Sequence, residues 1–184
     1  MRHLLMILAV LTGCSAAAPP QRVVEERGFT GVAPRGAAML RQAMIEAHDR
    51  ARAAVGVPPL TWNPALAEDA AVYARELART GKFEHAKQPQ GALRQGENLW
   101  TGTRGAYRYE EMAGHWVDER RYYRAAPTPD FSTSGRWEDV AHYTQIIWRG
   151  TTQFGCAEAS NRTDDYVVCR YTPPGNVVGQ MATQ

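Results

Sequence analysis

Side chains able to bind metals, carry protons or form covalent bonds are sparse in this chain. Its 184 residues include five histidines and three cysteines, and these are widely spaced. Cys14, Cys156 and Cys169 form no C-x-x-C pair and have no neighbouring Cys or His set at zinc spacing. No G-x-S-x-G turn presents a serine nucleophile, no H-E-x-x-H places two imidazoles on one helix face, and no glycine-rich loop is built to cradle phosphate. His115 precedes Glu119 by four residues. That separation brings side chains together on a helix, and it is also common in simple surface pairs; we read it as a surface pair. The sequon Asn161-Arg162-Thr163 would matter only in a eukaryotic secretory path. Formal net charge is +2 and the arginines are scattered, so the chain lacks the basic footprint of a nucleic-acid binder.

The elements that would position such groups follow from periodicity. A hydrophobic fraction of 44% and a charged fraction of 22% suit one globular domain with a real core. Residues 15 to about 37 are rich in Ala, Pro, Gly and charge and read as a tether. A helix is predicted from Ala37 to Val55, with Leu40, Ala43, Met44, Ala47 and Ala51 on its buried stripe, stopped by Gly56 and Pro58-Pro59. A second starts at Asn63-Pro64, buries Leu66, Ala70, Tyr73, Ala74 and Leu77, and ends at Gly81. A third covers Tyr107 to Tyr123, with Met112, Trp116, Glu119 and Tyr123 on one face. The segment Ala125 to Gly135 reads as a long loop. Beyond it the period changes to two, and strands are predicted at Val140–Trp148, Phe154–Ala159 and Tyr166–Tyr171. If the last two pair around Ser160 to Asp165, Ala159 faces Tyr166 and Cys156 faces Cys169, within bridging reach. Helices first and strands later suggest an α+β fold.

The N-terminus reads as an address. Arg2 and His3 precede the apolar run Leu4 to Leu11, which is too short to span a bilayer as a helix. Leu11-Thr12-Gly13-Cys14 resembles the bacterial lipobox, which implies cleavage before Cys14 and its acylation; a membrane lipid anchor would follow. The alternative is an ordinary signal cut a few residues later, after Ala18, with Cys14 discarded. On the lipobox reading the chain divides into a signal peptide over 1–13, a lipidated tether over 14–37 and a domain over 38–180. Ser15, not Asp, follows the cysteine; in Gram-negative bacteria that accompanies outer-membrane sorting, so the expected location is the outer membrane or the periplasmic face.

Four segments in order carry a resemblance to a family. His48-Asp49-Arg50-Ala51-Arg52, Gly96-Glu97-Asn98-Leu99, His142-Tyr143-Thr144-Gln145-Ile146-Ile147-Trp148 and Cys169-Arg170-Tyr171-Thr172-Pro173-Pro174-Gly175-Asn176 are similar to signature elements of the CAP superfamily of cysteine-rich secretory, antigen 5 and pathogenesis-related proteins. They span about Met39 to Val178. Two departures stand out: Ala141 replaces the Gly or charged residue usual before the signature histidine, and Asp49 stands where Asn is usual. The resemblance implies a three-layer α-β-α sandwich with a central antiparallel sheet. It also implies a cleft tetrad of two His and two acidic residues, here His85, Glu97, Glu119 and His142. His85 and His142 would be the metal ligands, for zinc or another divalent ion, with the carboxylates orienting the rings. His48 is expected to be structural, packed between helix and sheet. Trp116, Tyr143, Trp148 and Tyr171 are expected as core aromatics, and the Ala125–Gly135 loop as a lip of the cleft. The function expected is a non-enzymatic binding module for a lipid, a sterol-like molecule or an envelope polymer. The alternative is a metal-dependent, peptidase-like hydrolase using Glu119 or Glu97 as base.

Overall fold

The computed structural model describes residues 27–184. The expected signal segment 1–13, Cys14 and the first part of the expected tether lie outside the described residues. Helix α1 (Ala37–Ala54) buries Leu40, Ala43, Met44, Ala47, His48 and Ala51 along one stripe. Helix α2 (Pro64–Thr80) begins where the Asn63 side chain accepts a hydrogen bond from Ala65 N. It ends at Gly81, whose φ of 69° lies in the left-handed region that favours glycine. Leu66, Ala70, Ala74 and Leu77 form its buried face, and Tyr73, expected with them, is half-buried.

Four strands make one sheet: β1 (Thr61–Trp62), β2 (Gly96–Thr103), β3 (Gln153–Ser160) and β4 (Asp164–Thr172), in the order β1-β3-β4-β2. β3 and β4 form the expected hairpin, with Ala159 opposite Tyr166 and Cys156 opposite Cys169. The two cysteines are joined as a disulfide. β2 runs antiparallel to β4 along eight register pairs, from Gly96↔Tyr171 to Thr103↔Asp164. β1 adds a parallel edge to β3, so the sheet is mixed and not wholly antiparallel. A parallel pairing needs a long crossover, and everything from α2 to the helix before β3 supplies it.

Alternation along the strands gives each face of the sheet its own core. Leu99, Tyr166 and Val168 meet Ala70, Ala74 and Leu77 of α2. Trp100, Phe154, Cys156, Val167 and Tyr171 face the other way, against Leu40, Met44, Met112, Trp116 and Ile146. The result is the expected three-layer arrangement, helix, sheet, helices.

Two elements differ from the sequence reading. The third helix is shorter: α3 runs Tyr109–Asp118 and then tightens into a 3₁₀ turn, Glu119–Tyr122. The strand expected over Val140–Trp148 is a 3₁₀ turn, Trp137–Val140, leading into helix α4, Ala141–Ile146. Tyr143, Thr144, Gln145 and Ile146 are buried in succession. A run of four buried residues shows no alternation of wet and dry positions, so it cannot be told from a strand by period. Thr144 suits either state by propensity, and here its hydroxyl lies over the preceding turn, 3.0 Å from Val140 O.

The segment expected as tether is fastened to the domain over its described part. Ala33 is buried and its N–H bonds Gly105 O at 2.8 Å. Arg35 reaches Asp165 at 2.5 Å and Glu158 at 3.0 Å. The far end is fastened too: Arg149 N bonds Ala182 O at 2.7 Å, and Ala182 is fully buried.

Candidate functional site

The four expected cleft residues form two histidine–carboxylate dyads placed by β2 and by the elements beside it. Glu97 is the second residue of β2. Alternation turns it to the α2 side of the sheet, opposite Arg170 of β4. His85 sits in the loop between α2 and β2, and its Nδ1 lies 2.6 Å from Glu97 Oε1. The same oxygen accepts Ala86 N at 3.0 Å, and Glu97 Oε2 lies 2.9 Å from Arg170 Nη2. The Glu97 carboxylate is 5% exposed, whereas the His85 side chain is 65% exposed. The imidazole is therefore a solvent-facing group on a buried handle.

The second dyad is built by α3 and α4, the elements of the other layer. Glu119 opens the 3₁₀ turn after α3, and His142 lies in the first turn of α4. Glu119 Oε1 meets His142 Nδ1 at 2.5 Å, and Oε2 accepts the backbone N–H groups of His142 and Tyr143 at 3.0 and 3.1 Å. One carboxylate thus caps a helix start and aims its histidine. The Trp116 ring stacks on His142 with centroids 5.9 Å apart, and its Nε1 donates to Leu99 O on the outer edge of β2. Asn98 Nδ2 donates to His142 O at 3.1 Å, tying this dyad to β2 beside Glu97.

Each imidazole has Nδ1 engaged by a carboxylate and Nε2 without a hydrogen-bond partner among the described residues. That is the orientation in which a histidine serves as a metal ligand through Nε2, its other nitrogen held by a carboxylate. An imidazole backed by a carboxylate is a donor type that suits a divalent ion. Among the described residues no group of three or more His, Cys, Asp or Glu side chains comes together as a metal cage.

The remaining histidines resolve separately. His115 does not meet Glu119, because α3 ends at Asp118 and the tighter turn carries Glu119 away. His115 Nδ1 instead accepts from Trp100 Nε1 at 3.0 Å, and the two rings stack. His48 is structural as expected. It is fully buried, bonded to Met44 O at 2.7 Å and to the Tyr171 hydroxyl at 2.9 Å, and stacked on Phe154. A carbonyl can only accept, so His48 carries its proton on Nδ1 and Tyr171 donates to Nε2. Burial drives the His48 pKa down to about 4, with the nearby Arg52 adding to the shift. Trp116, Tyr143, Trp148 and Tyr171 are all buried core aromatics.

Several signature residues turn out to be connectors. Gln145 accepts Gly175 N at 2.9 Å and donates to Thr151 Oγ1 at 3.2 Å. A Cβ on Gly96 would fall 2.2 Å from its Oε1, which is why that strand position is glycine. Asn176 donates to Ala141 O and accepts from Thr144 Oγ1. Arg52, 1% exposed, gives its guanidinium protons to the carbonyls of Pro58, Ile146, Trp148 and Thr151. Burial, with Arg149 nearby, lowers its pKa to about 10, which still leaves it charged at neutral pH. Periodicity gave no sign of Arg52 as a buried cation.

Comparison with known proteins agrees with this architecture. The chain is 38% identical over 141 residues to pathogenesis-related protein 1B of Nicotiana tabacum, spanning 76% of this chain and 79% of that one. It is 33% identical over 141 residues to pathogenesis-related protein PRMS of Zea mays, spanning 75% and 79%. Among solved structures, NaASP2 with Zn2+ superposes with a TM-score of 0.63 at 22% identity, covering 82% of this chain and 88% of that one. BmVAL-1 superposes with a TM-score of 0.63 at 20% identity, covering 86% of each. The model of the cysteine-rich secretory protein family matches residues 45–171, a span that holds both dyads, the disulfide and three of the four signature segments entire, and the chain belongs to that CAP family.

Proposed function

We propose that this chain is an exported binding module of the cell envelope whose two dyads present imidazole Nε2 atoms to a ligand, with a divalent ion such as zinc held by His85 and His142. The observation that carries this reading is that each carboxylate faces donors of the protein itself, its own histidine first. Glu97 serves His85, Ala86 N and Arg170; Glu119 serves His142, His142 N and Tyr143 N. A general base must have an oxygen free to take a proton from water. Both glutamates are already turned to their own histidine, which favours a positioning role over the base role of the hydrolase alternative. Bound zinc would supply Lewis acidity at the ligand; the chain's own part is to hold the two rings and aim their Nε2 atoms.

The ligand class proposed is a lipid, a sterol-like molecule or an envelope polymer, engaged at the surface. The groove between α1 and α3, lined by Ala47, Ala51, Ala54, Gly114 and Val117 among others, has about 190 Å³. A site that encloses a drug-sized ligand has roughly 300 Å³ or more, so this groove suits part of a ligand and not a whole one. Anchoring through acylated Cys14 remains part of the proposal. The Cys156–Cys169 disulfide is in keeping with export to an oxidising compartment.

Calorimetric titration of the purified chain with zinc tests the site. Stoichiometric binding, lost in His85→Ala and in His142→Ala, is expected; no uptake, or uptake unchanged in both variants, overturns it. Native mass spectrometry of protein drawn from its own envelope tests the ligand. Co-purifying lipid or polymer is expected, and a bare chain with no affinity for envelope fractions counts against the ligand class.

A further inference from the structure

His85 poses a physical problem. Its ring is 65% exposed, on a loop that runs largely exposed from Lys82 to Arg94, yet its Nδ1 contact is short. A solvated histidine on such a loop samples several rotamers, and ordering it costs conformational entropy. Something beneath it must hold the loop.

The geometry points to Arg170 and Tyr73 as the positioning pair that fixes His85 for ligand binding through Nε2. Three consecutive residues of the loop are pinned. Tyr73 OH donates to Glu84 O at 2.6 Å, His85 Nδ1 meets Glu97 Oε1 at 2.6 Å, and Ala86 N donates to the same oxygen at 3.0 Å. Arg170 touches the partners of all three pins. Its Nη2 lies 2.9 Å from Glu97 Oε2, and its guanidinium sits 5.2 Å from the centre of the Tyr73 ring. Arg170 and Glu97 face each other across β4 and β2, and both are nearly sealed from water, at 7% and 5% side-chain exposure. The guanidinium can only donate, and Ala86 N donates as well, so Glu97 stands among donors as their acceptor. An accepting Glu97 requires the proton of neutral His85 to sit on Nδ1, which leaves the Nε2 lone pair facing solvent. Among the described residues the His142 dyad has no such support: Glu119 is set by backbone N–H groups, without an arginine. The two histidines are therefore prepared by different means, one by a side-chain stack and one by a helix start.

The inference rests on the proposed metal site only for its zinc arm. The direct test is long-range ¹H–¹⁵N correlation of the histidine rings in the metal-free chain at a fixed pH above 7, with amide exchange at Ala86. In the wild type, His85 is expected to hold the Nδ1–H form. In Arg170→Met it should shift toward the Nε2–H form usual for free histidine, and Ala86 exchange should quicken about tenfold or more. His48 and His142 signals should stay unchanged, which separates local loosening from loss of fold. Arg170→Lys should restore part of the effect. Tyr73→Phe, which keeps the ring and removes only the Glu84 bond, should speed Ala86 exchange without altering the fold, and serves if Arg170→Met does not fold. Zinc affinity of Arg170→Met should drop on the order of 10-fold, as for other residues that support a metal-binding histidine. An unchanged His85 tautomer and unchanged Ala86 exchange in Arg170→Met and Tyr73→Phe would overturn the assignment. A wild type that takes up no zinc but shows the expected ring and amide changes would overturn the metal site and uphold the positioning role.

Discussion

At the scale of single residues, the most informative histidine is one with no part in the cleft. His48 is fully buried and neutral, with its pKa at about 4 against roughly 6.5 for an exposed imidazole. Between those values the unfolded chain takes up a proton that the folded chain refuses. Stability contributed by the neutral ring is whole above about pH 6.5 and is lost as pH falls toward 4, by roughly 3 kcal/mol over the window. Urea midpoints measured from pH 7 to pH 4 should show that slope, and His48→Gln should flatten it while lowering stability at pH 7. An equal slope in both proteins would refute the assignment. His48 and its dyad counterparts were readable from the sequence only through signature segments. Nothing in periodicity separates a buried histidine from a ligand, since both lie beside apolar residues. The supports are harder still: the Arg170–Glu97 pair depends on a strand register that joins positions more than seventy apart in the chain.

At the scale of elements, what was legible follows the physics of local patterns. α1, α2 and the β3–β4 hairpin have one wet and one dry face, or a cap and a turn, and these leave marks in the residue order. The Cys156–Cys169 pairing followed from the hairpin alone. α4 left no such mark because Tyr143 to Ile146 are buried in succession, and β2 was recognisable by its Gly-Glu-Asn-Leu residues but not as a strand. The elements without local signals are held by long-range polar contacts, and Arg52 is the chief one. Arg52→Met would take the guanidinium donors from the buried carbonyls of Pro58, Ile146, Trp148 and Thr151, at a cost on the order of 3 kcal/mol. A urea midpoint within experimental error of the wild type would contradict this. Removing the disulfide by a double Cys156→Ala, Cys169→Ala change should cost a comparable amount, about 3 kcal/mol, because the bridge closes a short loop of separation 13. Thermal melts with and without reductant measure it, and reductant should lower only the wild-type value.

At the scale of the whole molecule, the chain's N-terminal approach is locked by a charged cluster far from either dyad. Asp165, 1% exposed, accepts from Arg35, Gly105 N and Ser160, while Glu158 takes Arg35 and the Tyr109 hydroxyl. Asp165→Asn should release residues 27–36, with faster amide exchange at Ala33 and a stability loss of about 2 kcal/mol. Protection at Ala33 equal to the wild type would show that the segment is held by other means. The way the sheet finishes at its two sides has a separate outcome. On one flank stands a strand only two residues long; on the other, the indole of Trp116 occupies Leu99 O where a neighbouring backbone would otherwise dock. That indole takes one backbone acceptor out of the margin along which a strand from another molecule could add, which lowers the sheet's capacity to recruit a second copy.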